Sequence, residues 1–483
     1  MSFLGRAAAM RCWVWGGLAA VAFSTTSGAG AFTLREAIAT TIDSNPQIGA
    51  AVENREAIEF ELRQARGLYM PRVDAETSAG VRHLDRPRNS VDPFTGSRDQ
   101  GQFSPVEVGI VGTWKLFDGF TTDAEVERQA SRVDGASYRI LERSEFLALE
   151  VSREYFDILL QERLVGLADQ NVGYLRDTVQ RIRGNVSSGS LTDADLKQGE
   201  ERVIAARARV IEARQNLAEA KVRLQRLVGK TFARGSMPPS MVTRLPKSVE
   251  GGLALAVRNN PRIQIATADI DAAHALVKKA RGKMMPEVFV EGRARAGRDI
   301  DGVTGRTNDL QARAVMRMNL YNGGIDQASI QEQTRRVAEA QFNRDQILRE
   351  VRESVKLSFQ RRQSQSELSG VLGQQASVSD RLVVAYADQF QVGRRSLLDL
   401  LDAQNTRYNA KVLHETAQMA ARFAEYRILA STGQLVSAFG LRPPKQAEAY
   451  ARSEAVVPPT ADAETLPRYS PNRGRLTAPA PAL

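Results

Sequence analysis

Apolar residues recur at helical spacing from Leu34 to Leu68, broken once by Asn45-Pro46, and the run ends in Ala65-Arg-Gly-Leu-Tyr-Met-Pro71. After that proline the period drops to two. Val73, Ala75, Thr77, Ala79 and Val81 alternate with polar residues, and after a polar loop containing Pro87, Asn89 and Pro93–Gly96 so do Val106, Val108, Ile110, Gly112, Trp114 and Leu116. The same switch returns after Met285-Pro286, with one strand over Val288–Ala296 and another over Leu310–Leu320. Each pair reads as a hairpin of strands about 10 residues long, a length that suits a tilted strand crossing a bilayer. A half-buried soluble hairpin shows the same alternation, so the strands alone leave the two readings level.

The two stretches are repeats. Asn45-Pro46 with Asn260-Pro261, Ala65–Gly67 with Ala280–Gly282, and Met70-Pro71 with Met285-Pro286 all lie 215 residues apart. Beyond the strands the offset becomes 204, for Gly189 with Gly393, Asp195 with Asp399, and Gly229 with Gly433. The pattern from Thr121 to about Val186 is one helix of about 65 residues, or roughly 100 Å at the helical rise. Its return helix carries an unbroken three–four spacing: Leu196, Gly199, Val203, Ala206, Val210, Ala213, Leu217, Ala220, Leu224, Leu227. That is a coiled-coil seam rich in small residues. The seam of the second half is weaker, with Arg407 and His414 at equivalent places.

Both helical hairpins turn at a glycine, Gly189 and Gly393, and restart behind a capping hydroxyl. Thr192 and Ser396 stand three residues before Asp195 and Asp399, an acidic variant of the capping box. Asp402 shares a face with Asp399 but has no acidic counterpart, since the matching position is Gln198. It also lies past the first turn, where capping and dipole effects fade.

Composition adds compartment and excludes some chemistry. Of 483 residues, 42% are hydrophobic and 25% charged, with a net charge of +10. The basic residues are scattered and not interleaved with aromatics, which argues against a nucleic-acid partner. Residues 1–31 read as a secretory signal, with Arg6 and Arg11 before the apolar Trp13–Phe23 and a cleavage site at Ala29–Ala31. The one cysteine, Cys12, falls inside it, so the mature chain is expected to have neither disulfide nor thiol chemistry. No phosphate loop, nucleophile elbow or HExxH is present; His83, His274 and His414 lie far apart, and Asp299–Gly302 lacks the glutamate of a calcium loop. No cofactor, metal or enzymatic activity is expected. Residues 230–250 read as a linker between repeats 32–229 and 251–442, and the proline-rich 443–483 as a disordered tail.

Two matched amphipathic hairpins, each followed by a very long helical hairpin, in a secreted chain, resemble the TolC family of outer-membrane channel-tunnels. The most specific segment is Val392-Gly-Arg-Arg-Ser-Leu-Leu-Asp-Leu-Leu-Asp402 followed by Tyr408–Lys411. The resemblance covers about residues 32–442 and implies a mixed, mainly α fold. Three chains would share one 12-stranded barrel above a periplasmic α-helical barrel. It implies an exit duct in the Gram-negative outer membrane, docked on a periplasmic adaptor and an inner-membrane ABC or other pump. The cargo would be protein or small molecules, and the absence of a lipidated cysteine leans towards protein. It also implies a pore constriction at Asp399 and Asp402, and a gate lock at the matching Arg395 and Asp195, at the helical-hairpin tips. Phe390 stands where the family often has tyrosine, which weakens that lock. A poreless periplasmic coiled-coil scaffold would explain the heptads and the signal but not the matched strand pairs.

Overall fold

The computed structural model describes residues 32–84, 101–232, 234–300 and 304–460. Residues 1–31 with Cys12, expected to be a signal, the stretch Pro87–Gly96, Asp301-Gly302 and residues 461–483 lie outside the described residues.

The fold is mainly helical with one antiparallel sheet. Helices α1 (Leu34–Ser44) and α2 (Pro46–Gly67) lead into strands β1 (Arg72–Ala79) and β4 (Val106–Phe117), bridged by a short ribbon of β2 (Arg82–Leu84) and β3 (Gly101–Phe103). Then α3 (Thr121–Ser187) and α4 (Asp193–Val228) form the first helical hairpin. The order repeats with α5 (Val249–Asn259), α6 (Pro261–Gly282), β5 (Glu287–Arg298), β6 (Arg306–Arg317), α7 (Ile325–Gln391) and α8 (Leu397–Ser431). Both α3 and α7 have 67 residues, roughly 100 Å of helix. No described helix is long and apolar enough to cross a membrane.

The sheet runs β1-β4-β5-β6, all neighbours antiparallel. Its register puts Val73, Ala75, Val108, Ile110, Trp114, Val290, Ala294, Leu310 and Met316 on one face. The other face is charged and cross-linked between strands: Arg293 reaches Glu107 at 3.4 Å, Arg295 Asp309 at 2.8 Å, and Arg313 Glu291 at 2.7 Å. Strand β6 starts earlier than the alternation suggested and stops at Arg317, so Met318–Leu320 are outside it. Asp299, at the β5–β6 turn, has a left-handed backbone (φ 56°), and its Oδ1 accepts from the Gly305 N–H at 2.8 Å. It serves a turn.

Asn45 and Asn260 show why the Asn-Pro pairs recur. The Asn45 side chain accepts from the Gln47 N–H and donates to the last-turn carbonyl of Leu227 in α4, both at 2.9 Å. Asn260 does the same for Arg262 N–H at 3.0 Å and the Ser431 carbonyl of α8 at 3.1 Å. Each asparagine therefore caps one helix and closes the end of another, satisfying orphan groups at both. Proline at the first helical position fits because its missing N–H would have no partner there.

The largest core sits at this level and gathers α1, α3, α4, α8 and the segment after α4. Residues 230–250 are built into it. The Tyr426 hydroxyl donates to Pro239 O at 2.6 Å, and the Glu425 carboxylate accepts from Ser240 Oγ and Met241 N–H at 2.9 and 2.7 Å. The expectation of an unstructured tail fails for residues 443–460. The four-residue helix α10 (Ala451–Glu454) packs on α3, as α9 (Leu435–Ala438) does ahead of the tail, and Ala451 is fully buried. Composition misled here because individual long-range pairs anchor the segment: the Arg452 guanidinium reaches Asp134 of α3 at 2.9 Å and Asp271 of α6 at 2.6 Å, and Glu454 meets Arg66 of α2 at 3.0 Å.

Candidate functional site

The hairpin tips are built alike. At the end of α3, Gly189 is left-handed (φ 78°), Ser190 N–H donates to Asn185 O at 2.8 Å, and Gly189 N–H donates to Val186 O at 3.0 Å. At the end of α7, Gly393 has φ 72°, with Arg394 N–H to Gln389 O at 2.9 Å and Gly393 N–H to Phe390 O at 3.1 Å. Both are Schellman turns, and an added Cβ would meet nothing at either. Glycine is needed for the backbone angle, not for room.

The caps that follow differ. Thr192 makes the full reciprocal box: its Oγ1 accepts from Asp195 N–H at 3.3 Å, and the Asp195 carboxylate accepts from Thr192 N–H at 3.0 Å. The Thr192 backbone N–H, then its hydroxyl, hold the Asp195 carboxyl below the usual carboxylate range. Ser396 makes only half a box. It accepts from Asp399 N–H at 3.2 Å, while the Asp399 carboxylate lies 3.8 Å from Arg395. Arg395 also donates to Gln389 Oε1 at 3.2 Å and lies 4.2 Å above the Tyr386 ring. Within one chain Arg395 and Asp195 are therefore not brought together: Arg395 is held by α7 and by Asp399, and Asp195 by Thr192. Asp402 is exposed, and its carboxylate makes no hydrogen bond or ion pair among the described residues.

Behind the tip, Leu397 and Leu401 of α8 plug into the apolar seam of α3 and α4, against Val172, Leu175, Val179, Ile182 and Val203, with Phe390 packed at the edge. The opposite face of α8 carries Asp399 and Asp402 away from that core. The predicted α4 seam is buried from Gly199 to Leu227 except at Leu217, which is half-buried. Of the histidines, His83 lies in the β2–β3 ribbon, His274 is exposed, and His414 Nδ1 sits 3.2 Å from Ser369 O. No group of three His, Cys, Asp or Glu among the described residues could hold a metal. Sequence reasoning missed the buried Gln404–Asn171 pair and the Arg452 anchor. Asn171 carried one signal, as a polar residue within the apolar face of α3 that holds Ala168, Val172 and Leu175. Arg452 carried none.

A sheet with one apolar and one charged face, joined to helices of roughly 100 Å, is the build of an outer-membrane channel protein. The profile described as "Outer membrane efflux protein" matches residues 37–230 and 252–434, and the chain belongs to that family. It is 23% identical over 380 residues to the outer membrane efflux protein BepC of Brucella suis, covering 77% of this chain and 79% of that one. The alkaline protease secretion protein AprF of Pseudomonas aeruginosa is 22% identical, over 76% and 78% of the two chains. The fold matches the outer-membrane channel OprN with a TM-score of 0.72 at 18% identity, over 83% of this chain and 90% of that one. The protein is thus an outer-membrane channel extending into the periplasm, not an enzyme. Its family works with periplasmic adaptors and inner-membrane pumps.

Proposed function

We propose that three copies of this chain close one 12-stranded barrel and continue as a helical tunnel, the passive exit duct of a tripartite export machine. The observation that carries this is the pair of open flanks. Strands β1 and β6 each leave one edge unpaired among the described residues, and lipid tolerates no open edge. Helix α7 repeats the opening lower down. Where α3 buries side chains along most of its length, α7 buries only Val337, Arg344, Leu348, Val351, Val355, Ser358, Ala376, Ser379 and Val383. A neighbouring copy would cover both flanks. On this reading residues 1–31 are a cleaved signal, and 32–229 and 251–442 are two repeats of one unit joined through 230–250. The cargo is protein by type I secretion, a small molecule, or both; the names of AprF and BepC divide the same way.

Three chains would set three Asp402 and three Asp399 carboxylates around one axis at the tip, with Arg395 close enough to a neighbour's Asp195 to lock it. Such a ring draws in cations and makes the closed entrance cation-selective. Bilayer recording of Asp402→Ala beside Asp399→Ala tests it, with native mass measurement of the detergent-extracted protein. Loss of cation selectivity and of block by multivalent cations is expected on a trimeric background. A monomeric pore, or two mutants with wild-type selectivity and block, would overturn the reading.

A further inference from the structure

The contact between α8 and the first hairpin is apolar at the tip and polar above it, high on the shaft where Arg163 of α3 reaches Glu415 at 2.6 Å and Gln418 at 3.2 Å, and nearer the tip at one buried level. There Gln404 Nε2 donates to Asn171 Oδ1 at 2.7 Å, with the two residues 2% and 6% exposed. Gln404 Oε1 is buried and has no hydrogen-bond partner among the described residues. One turn on, the Arg407 guanidinium lies 4.7 Å above the Tyr174 ring of α3. On the other side Asn405 Oδ1 accepts from Arg209 of α4 at 3.0 Å. Within four residues, α8 is thus tied to both helices of the first hairpin.

We infer that Gln404 and Asn171, flanked by Arg407 and Asn405, form an intrachain latch that holds the α7–α8 hairpin against α3–α4 and keeps the tip shut. This rests on the reading of the tip as the gate and adds a second point of control about 15 Å up the shaft. The physical reason is the dry seam. Pulling α8 away orphans two buried amides until water reaches them, so the closed state is favoured. The unsatisfied Gln404 Oε1 works the other way, since it gains a partner once water enters. The pair is therefore a releasable contact, not a weld.

The test uses the full-length channel, with single-channel conductance and uptake of a bulky antibiotic as readouts. Gln404→Ala should raise the open fraction about tenfold, the worth of one net buried hydrogen bond, in a trimer that melts near wild type. The swap Asn171→Gln with Gln404→Asn should restore the closed level, which a merely structural role would not. If Gln404→Ala does not assemble, the surface variant Asn405→Ala should show a smaller rise. Wild-type conductance in Gln404→Ala, or in Asn405→Ala where that variant stands in, beside a leaky Arg395→Ala would overturn the latch and leave the tip gate standing. No change in any of them would overturn both. A lowered melting point with unchanged conductance, or a swap that stays leaky, would also overturn the latch.

Discussion

Removing Arg452 should unfasten the C-terminal segment from the upper shaft. Its guanidinium joins Asp134 of α3 and Asp271 of α6, each with a side chain only 4% exposed, and it also lies 5.7 Å from the Tyr138 ring. Arg452→Ala leaves two nearby carboxylates buried with no cation. Breaking one partner out of a buried ion pair costs about 3–5 kcal/mol. Two features reduce that here. Asp134 keeps the Ala451 and Arg452 backbone N–H donors at 2.8 and 3.2 Å, and the arginine side chain is 18% exposed, so water can replace it. A loss of about 3 kcal/mol is expected. Tryptic cleavage at Lys445, timed against thermal unfolding of the assembled protein, reads it: the variant should be cut faster and melt earlier. Adding Asp134→Asn and Asp271→Asn should recover most of the loss, because the penalty comes from charge without a partner. If Arg452→Ala resists trypsin like wild type, or the triple variant is no better than the single, the account is wrong.

Glu145 supplies a pH prediction. Burial pushes its carboxyl up to about 7, against the N–H groups of Val436 and Leu435 that it accepts from. The native state thus holds a proton that the unfolded chain releases, so stability should fall as pH rises from about 4.5 to about 7 and level off above that. Glu145→Gln should flatten the profile and melt higher at pH 8, by up to about 3 kcal/mol; a variant that keeps the wild-type slope would refute the assignment. Asn260→Ala and Asn45→Ala each remove a cap and leave a helix-end carbonyl without its donor, so each should cost about 2 kcal/mol. Hydrogen exchange should quicken at Gly433 in the first and at Gly229 in the second, and unchanged exchange at these joints would count against the double role.

What was legible in the sequence was what repeats. The helix starts at Asn45 and Asn260, the tip glycines and the α4 seam are local or periodic signals, and local physics decides them wherever they stand. The β6 end point was not legible, since alternation continues through Met318 and Leu320 while pairing stops at Arg317. Nor was the segment after Pro443, because a single arginine meeting two aspartates more than 180 residues away leaves no mark on composition. At the tip, Ser396 and Asp399 have the spacing of a capping box, yet the Asp399 carboxylate lies 3.8 Å from Arg395 and only the Asp399 N–H to Ser396 Oγ half of the box forms. Spacing can offer a bond without deciding which competitor wins it.

The two hairpins are alike in length but not in their seams, and that difference says which should move. Along α4 the buried face is Gly199, Val203, Ala206, Val210, Ala213, Ala220, Leu224 and Leu227, close enough that a Cβ at Gly199 would stand 3.0 Å from Ile182 and Val179. Such a seam opens only by exposing apolar surface. Along α8 the equivalent run is broken twice. Arg407 turns to Asp380 of α7, 3.7 Å away, and His414 sits over Gly373, where a Cβ would come within 3.0 Å of its ring. Polar contacts of this kind can be exchanged for water at little net cost. The outer side of α7 is also uncovered, with Leu368, Val371, Val378 and Val384 exposed in the single chain. The α7–α8 hairpin should therefore be the mobile one and α3–α4 the frame. Hydrogen exchange on the assembled channel should show weaker protection over residues 370–385 than over residues 170–185. Equal protection, or the reverse order, would mean that the seams do not set the motion.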